Sequence, residues 1–334
     1  MRLVLAALAA FSLWTATAAA ACEGRDMRPD FSDAERALLD EATASTPFGE
    51  GNHWIAERDG EVIHLVGTIH ISDPRLAAPA EGLRETIDGA GLLLLEMTPG
   101  GMEDLERRMR EDPGMLVLKD TALPELMEEA EWQRLADAAK ARGIPPVMAA
   151  KFQPWYLSMV LALPGCATES PSVLDGLDAR LQRIAKDTGT QMQALEDVDT
   201  VFRLFQDAPM EDQLEMLRAA IVPGDDGSDM MATLIATYFE ERTAASWELS
   251  RLMSRRSSPL PPEEVDEGFD QMEATLLTAR NEAWLPVILD AVEETAQPVV
   301  VAAGAAHLQG ETGLAALLEA EGFTLTRAPF ATPE

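Results

Sequence analysis

Histidine is scarce in this sequence, and two of its four histidines stand in the same local pattern, Gly67-Thr68-Ile69-His70 and Gly304-Ala305-Ala306-His307. Each tetrapeptide directly follows an aliphatic run that reads as a strand, residues 61–66 in one case and 298–302 in the other. With 22 glycines in 334 residues, two such matches rarely arise by chance. The glycine is expected to let the chain turn sharply as it leaves the sheet, bringing the histidine to the carboxyl edge of the strands, where open α/β sheets bind ligands. Two imidazoles at that edge can share one divalent ion if a carboxylate completes the shell.

Glu96 follows Leu92-Leu93-Leu94-Leu95 directly and is the expected third ligand, because a charge there is costly without a cation or hydrogen bonds to compensate it. Glu196 follows the run 191–195 in the same way and takes a supporting role. Arg280 and Asn281 are adjacent on a helix otherwise made to pack, one turn before Trp284. Arg can grip a carboxylate or phosphate with two donors, and Asn can hold a carbonyl or an oxyanion; a plain salt bridge is the other reading of Arg280. Asp73 reads as a turn residue and Asp178 as a helix residue, both weaker ligand candidates, while His53 and His64 read as structural. No G-x-S-x-G elbow, H-E-x-x-H helix, Walker loop or full G-x-G-x-x-G occurs.

The elements that would carry these residues repeat at the two ends of the chain. Near the N-terminus, a hairpin with Asp59-Gly60 at its turn precedes a helix over 76–87 and an aliphatic strand over 91–95. Near the C-terminus, a strand over 298–302 precedes a helix over 313–321 and a strand over 323–327. Strand, helix, strand in that order predicts parallel pairing. Between them, residues of about 104–290 are mostly helical in pattern, with helices over 124–141 and 174–187, a short strand over 191–195, and loops over 223–230 and 254–264. The expected fold is therefore α/β, with a central, mostly parallel sheet built from both chain ends as two strand-GxxH-helix units and a large helical insertion. Residues 22–334 are read as one domain.

Composition bounds the function. Apolar residues make up 47% and charged residues 25%, which excludes fibrous, disordered and polytopic membrane classes. The net charge of −32 repels phosphate backbones, so nucleic acid is excluded as a partner. Residues 1–21 read as a signal peptide: Arg2 supplies the positive start, 3–14 the apolar run, and 15–21 the small residues for cleavage. This implies a periplasmic or secreted protein with no stable membrane span after cleavage; lipidation at Cys22 is the alternative. Cys22 and Cys166 are the two cysteines, and in an oxidising compartment they are expected to form a disulfide.

Together these residues resemble the TraB/GumN family in its exported bacterial form. The resemblance rests on Leu65-Val66-Gly67-Thr68-Ile69-His70, Glu96-Met97-Thr98-Pro99, Gly176-Leu177-Asp178 leading to Leu195-Glu196, Arg280-Asn281, and the run from Gly304 to Leu314, and it spans about 54–325. That family is related to the Tiki metalloproteases and, more distantly, to erythromycin-esterase-like and haem-binding ChaN-like proteins. The resemblance implies a divalent metal (Mn, Co or Zn) on His70, His307 and Glu96, with Arg280 and Asn281 in the pocket. The expected function is metal-dependent hydrolysis of a peptide or other small envelope substrate, with Glu96 or Glu196 as general base. The alternative is a non-catalytic module that sequesters a peptide, haem or a metal.

Overall fold

The computed structural model describes residues 24–163, 175–221, 227–258 and 261–330. Residues 1–21, expected as a signal peptide, and Cys22 and Cys166, expected as a disulfide, lie outside the described residues. Where the chain alternates short aliphatic runs with Gly and Asp turns it forms strands: β1 (His53–Arg58), β2 (Glu61–Thr68), β3 (Leu92–Leu95), β4 (Met192–Ala194), β5 (Val299–Gly304) and β6 (Thr324–Arg327). They make one mixed sheet in the order β4-β3-β5-β2-β1-β6. β1 and β2 form the expected antiparallel hairpin, and Asp59 and Gly60 take φ of 48° and 96°, the left-handed pair that a two-residue hairpin turn requires.

β2 and β3 are parallel, as the strand-helix-strand order predicts, but they are not neighbours. β5 lies between them, parallel to both, with Ile63 and Leu92 each opposite Val299. The reason is in its composition: Val299 to Ala303 are fully buried, so this strand belongs where both faces and both edges are covered. β4, contributed by the otherwise helical insertion, extends the parallel part on β3. β6 is antiparallel to β1 and closes the far edge.

Helices cover both faces. One face packs Leu65, Leu94 and Val301 against Trp284, Ile288, Leu314 and Leu318 of the helices Ala279–Glu294 and Leu314–Ala320. The other packs Val66, Leu93 and Val300 against Leu83, Ile87, Leu181 and Ile184, from the short N-terminal helices and the helix Leu177–Thr188. The insertion has an apolar cluster of its own around Leu123, Leu135, Leu157 and Leu217. The helix Asp33–Ser45, opened by a capping box between Ser32 and Glu35, packs Leu39 on Leu249 of the helix Thr243–Ser257.

Three boundaries differ from the sequence pattern. The helix expected over 124–141 is two, Leu123–Leu126 and Glu129–Ala141, because Glu128 leaves the helical backbone to cap the second with Glu131. The expected loop over 254–264 is helical to Ser257 and again from Pro262, since Arg255 pairs with Asp266 and Arg256 with Glu35. The loop expected over 223–230 gives way to the helix Ser228–Phe239 directly after Gly227, whose φ is 75°. Among the described residues no helix is long and apolar enough to cross a membrane.

Candidate functional site

Four parallel strands end on one edge of the sheet and deliver the residues singled out by the sequence. β2 leads to His70, β3 to Glu96, β4 to Glu196, and β5 through the 3-10 turn Ala305–His307 to His307. The two motif glycines act differently from expectation. Neither has a left-handed φ, and Gly67 lies inside β2, so they do not turn the chain; they allow close approach. A Cβ on Gly67 would stand 3.1 Å from the Cα of Ala305, so the two G-x-x-H segments pack directly on each other. A Cβ on Gly304 would stand 3.3 Å from Glu96 Oε1, 3.7 Å from His307 Cδ2 and 3.9 Å from His70 Nε2. Imidazoles from opposite ends of the chain therefore face one cradle.

Each ring is held by its Nδ1. His70 Nδ1 donates to Asp178 Oδ2 at 2.8 Å, and Thr68 Oγ1 also donates to Asp178. Asp178, expected as a helix residue and a weaker ligand candidate, is thus the carboxylate that orients His70. It sits in the first turn of the helix Leu177–Thr188, whose start is docked on the motif: Leu177 N donates to Ile69 O at 2.9 Å, and a Cβ on Gly176 would overlap Ile69 and His70. The sequence signal was Gly176-Leu177-Asp178, whose glycine marks this close approach.

Asn281 orients His307. Its Nδ2 donates to His307 O and Thr312 O, which leaves Oδ1 to accept from His307 Nδ1 at 2.7 Å. Asn281 is buried beside the ring and lines neither of the cavities described below. With Nδ1–H committed in both histidines, each Nε2 carries the lone pair when the ring is neutral.

Burial pushes the His307 pKa down to about 4, so the ring is neutral near pH 7. His70 is the opposite: the Asp178 charge outweighs desolvation and raises it to about 9. Its ring is more than half exposed at the site mouth. Burial alone would push the Glu96 carboxyl up, but His307, His70, Arg280 and the Gly304 N–H hold it down to about 2. Gly304 N donates to Glu96 Oε1 at 2.7 Å, and His70 Nε2 lies 4.0 Å from the same oxygen.

The other Glu96 oxygen accepts from Arg280 Nη2 at 2.7 Å. Arg280 also binds Glu196, with Nη2 2.5 Å and Nε 3.1 Å from Oε1, and Nη1 is 3.3 Å from His307 Nε2. Despite burial, the Glu196 and Glu96 carboxylates raise the Arg280 pKa. A π-helical turn, Ala274–Thr278, directly precedes Arg280, and its Leu276 carbonyl accepts from Nη1 at 3.2 Å. Trp284 lies under both groups, with the guanidinium 4.6 Å and the His307 ring 4.4 Å from its ring centre. Of the two readings of Arg280, the salt bridge is present: it joins Glu96 to Glu196 within the site.

Asp73 is the turn residue expected, capping Pro74–Leu76 and binding Arg75. His53 and His64 bond each other at 3.1 Å on β1 and β2, away from this edge. Among the described residues no three His, Cys, Asp or Glu side chains form a ready-made metal-binding group. The donor chemistry of His70, His307 and Glu96 nevertheless suits a divalent ion: two imidazoles with tied Nδ1 atoms and a deprotonated carboxylate face the space that a side chain on Gly304 would fill.

Two cavities meet here, sharing His70, Glu96 and Arg280 as wall. One, of about 440 Å³, runs toward Trp247 and Met272; the other, of about 610 Å³, runs past Asp178, Gln182, Glu196 and Asp197. The arrangement can bind a chain-like ligand across the sheet edge, hold negative charge at Arg280, and exchange protons at His70, Glu96 or Glu196. Compared with known proteins, residues 52–327 match the family model described as TraB/PrgY/gumN family. No curated protein matches the chain.

Proposed function

This chain belongs to the TraB/PrgY/gumN family, and from that premise we propose that it is an exported hydrolase that cleaves a peptide bond with one divalent ion held by His70, His307 and Glu96. The observation that carries the reading is the cradle at Gly304, where two histidines from opposite chain ends and one glutamate face each other. Such an ion, when bound, polarises the scissile carbonyl and lowers the pKa of water toward ~7.

The chain's own residues do the rest. Asp178 and Asn281 fix the two rings through Nδ1; His70 Nε2 faces Glu96 and His307 Nε2 faces Arg280. Arg280, whose donors are engaged by Glu96, Glu196, Leu276 O and His307, acts through its positive charge on the negative charge that develops at the carbonyl oxygen. A glutamate takes the proton from the attacking water and passes it to the leaving amine: Glu96, or Glu196 where Glu96 serves as ligand. The leader at 1–21 would direct this chemistry to the periplasm or beyond, on a peptide or other small envelope substrate.

Metal analysis of the mature protein, followed by cleavage of a diverse peptide library with Mn, Co and Zn, tests the proposal. The parent protein is expected to hold one equivalent of metal, and His70→Ala and His307→Ala are each expected to lose it along with cleavage. Unchanged stoichiometry in both variants places the ion elsewhere. A Soret band on adding haem, with no cleavage under any of the metals, would instead support the sequestering module.

A further inference from the structure

We infer that the 440 Å³ cavity beside His70 and His307 is a side-chain subsite for an aromatic or long aliphatic residue of the substrate, next to the bond that is cleaved. This rests on the peptide reading above and gives it a specificity. Beyond the site's own His70, Glu96, Arg280 and His307, no charged residue among the described residues lines the cavity. Its far wall is carbon from Phe205, Leu234, Trp247, Met272, Leu276 and Leu277.

The side-chain donors in that wall are engaged within the protein. Thr243 Oγ1 donates to Gly49 O, Ser246 Oγ to Arg242 O and Ser250 Oγ to Ser246 O. Trp247 Nε1 donates to Glu273 Oε2, and the Tyr238 hydroxyl to Gly67 O. An apolar occupant would displace water there without stranding a donor or acceptor. A charged or amide side chain would lose its water with no partner in return. The room itself comes from small residues: Ser246 and Ser250 stand one turn apart on the helix Thr243–Ser257, where larger side chains would fill the space.

The volume falls within the range of about 300–1,000 Å³ typical of ligand sites, enough for one large side chain and its adjoining main chain. A polypeptide is the occupant that suits it. At the site edge the cavity shares His70, Glu96 and Arg280 with the 610 Å³ cavity lined by Asp178, Gln182 and Glu196. A chain with an apolar branch and a polar backbone uses both, whereas a simple acyl tail uses only the first.

The test is calorimetric binding of short peptides whose central amide is N-methylated to prevent cleavage, using the whole mature protein with and without Mn. Phe, Leu, Ala, Ser and Asp are placed in turn on each side of that amide. On one side, Phe or Leu is expected to bind at least ten-fold tighter than Ser or Asp. Ser250→Leu, which fills the cavity, is expected to shift the preference to Ala; Trp247→Ala, which opens it, is expected to weaken Phe ten-fold and leave Ala unchanged. Equal affinities across the series overturn the inference, as does an N-octanoyl amine that binds tighter than every peptide. Cleavage of ordinary peptides without any such preference would overturn the subsite and leave the hydrolase standing. Selective binding without cleavage under Mn, Co or Zn would do the reverse.

Discussion

Gly304 concentrates the chemistry of the site in the absence of a side chain. Its N–H fixes one oxygen of Glu96, and the space where its Cβ would be is bounded by that oxygen, His70 and His307. Its backbone, at φ −50° and ψ 135°, is one that alanine adopts readily. Gly304→Ala therefore separates site from fold. The added methyl is expected to cost about 1–3 kcal/mol by overpacking, while metal affinity falls at least about ten-fold, because the methyl occupies the cradle. Urea unfolding and metal titration of the same variant check this; unchanged affinity would mean that the ion does not sit there. At this scale the sequence identified the ligand candidates by type and spacing, but it left Asp178 a weak candidate on a helix and did not pair Asn281 with His307. Both roles depend on what lies beside the side chain after folding, since Asp178 is 108 residues from its His70 partner.

The β1–β2 hairpin carries the other two histidines, and its proton chemistry runs separately from the site. His53 Nδ1 faces Pro329 O at 3.2 Å, and its Nε2 accepts from His64 Nδ1. Burial lowers the pKa of His53, and burial together with the His53 charge lowers that of His64 to about 4. In the unfolded chain both titrate near ~6.5. Between about pH 6.5 and 4 the unfolded state thus binds protons that the folded hairpin refuses, so stability holds above about 6.5 and is lost as pH falls. His64→Gln removes one of these groups and is expected to flatten the fall. His307, with the same sign of shift, keeps part of the slope. Urea midpoints of parent and variant between about pH 7 and pH 5 measure this, and equal slopes would contradict it. The hairpin was legible as an element because alternation and Asp59-Gly60 are local signals. The π-helical turn before Arg280 was not, because nothing in its composition distinguishes Ala274 to Thr278 from ordinary helix.

Across the whole molecule, the sheet is centred on a strand from near the end of the chain. β5 lies between β2 and β3, so neither parallel pair exists without it. A chain ending at Glu294 would lack the central strand, β6, Gly304 and His307. It is expected to show no cooperative urea transition and to bind no metal, whereas removal of residues 1–21 is expected to leave both intact; circular dichroism through a urea series distinguishes the two. The sequence by itself determined the α/β class, the parallel strands at both ends, the helical character of the middle and the family of the chain. It did so because period, glycine spacing and strand-end charges are written along a few neighbouring residues. Only the tertiary structure decided that β5 divides β2 from β3, that Arg280 joins Glu96 to Glu196, and that each histidine is held by a partner. Those facts come from segments up to about two hundred residues apart meeting at one sheet edge, where buried charges and the Nδ1 atoms of the two rings find counterparts.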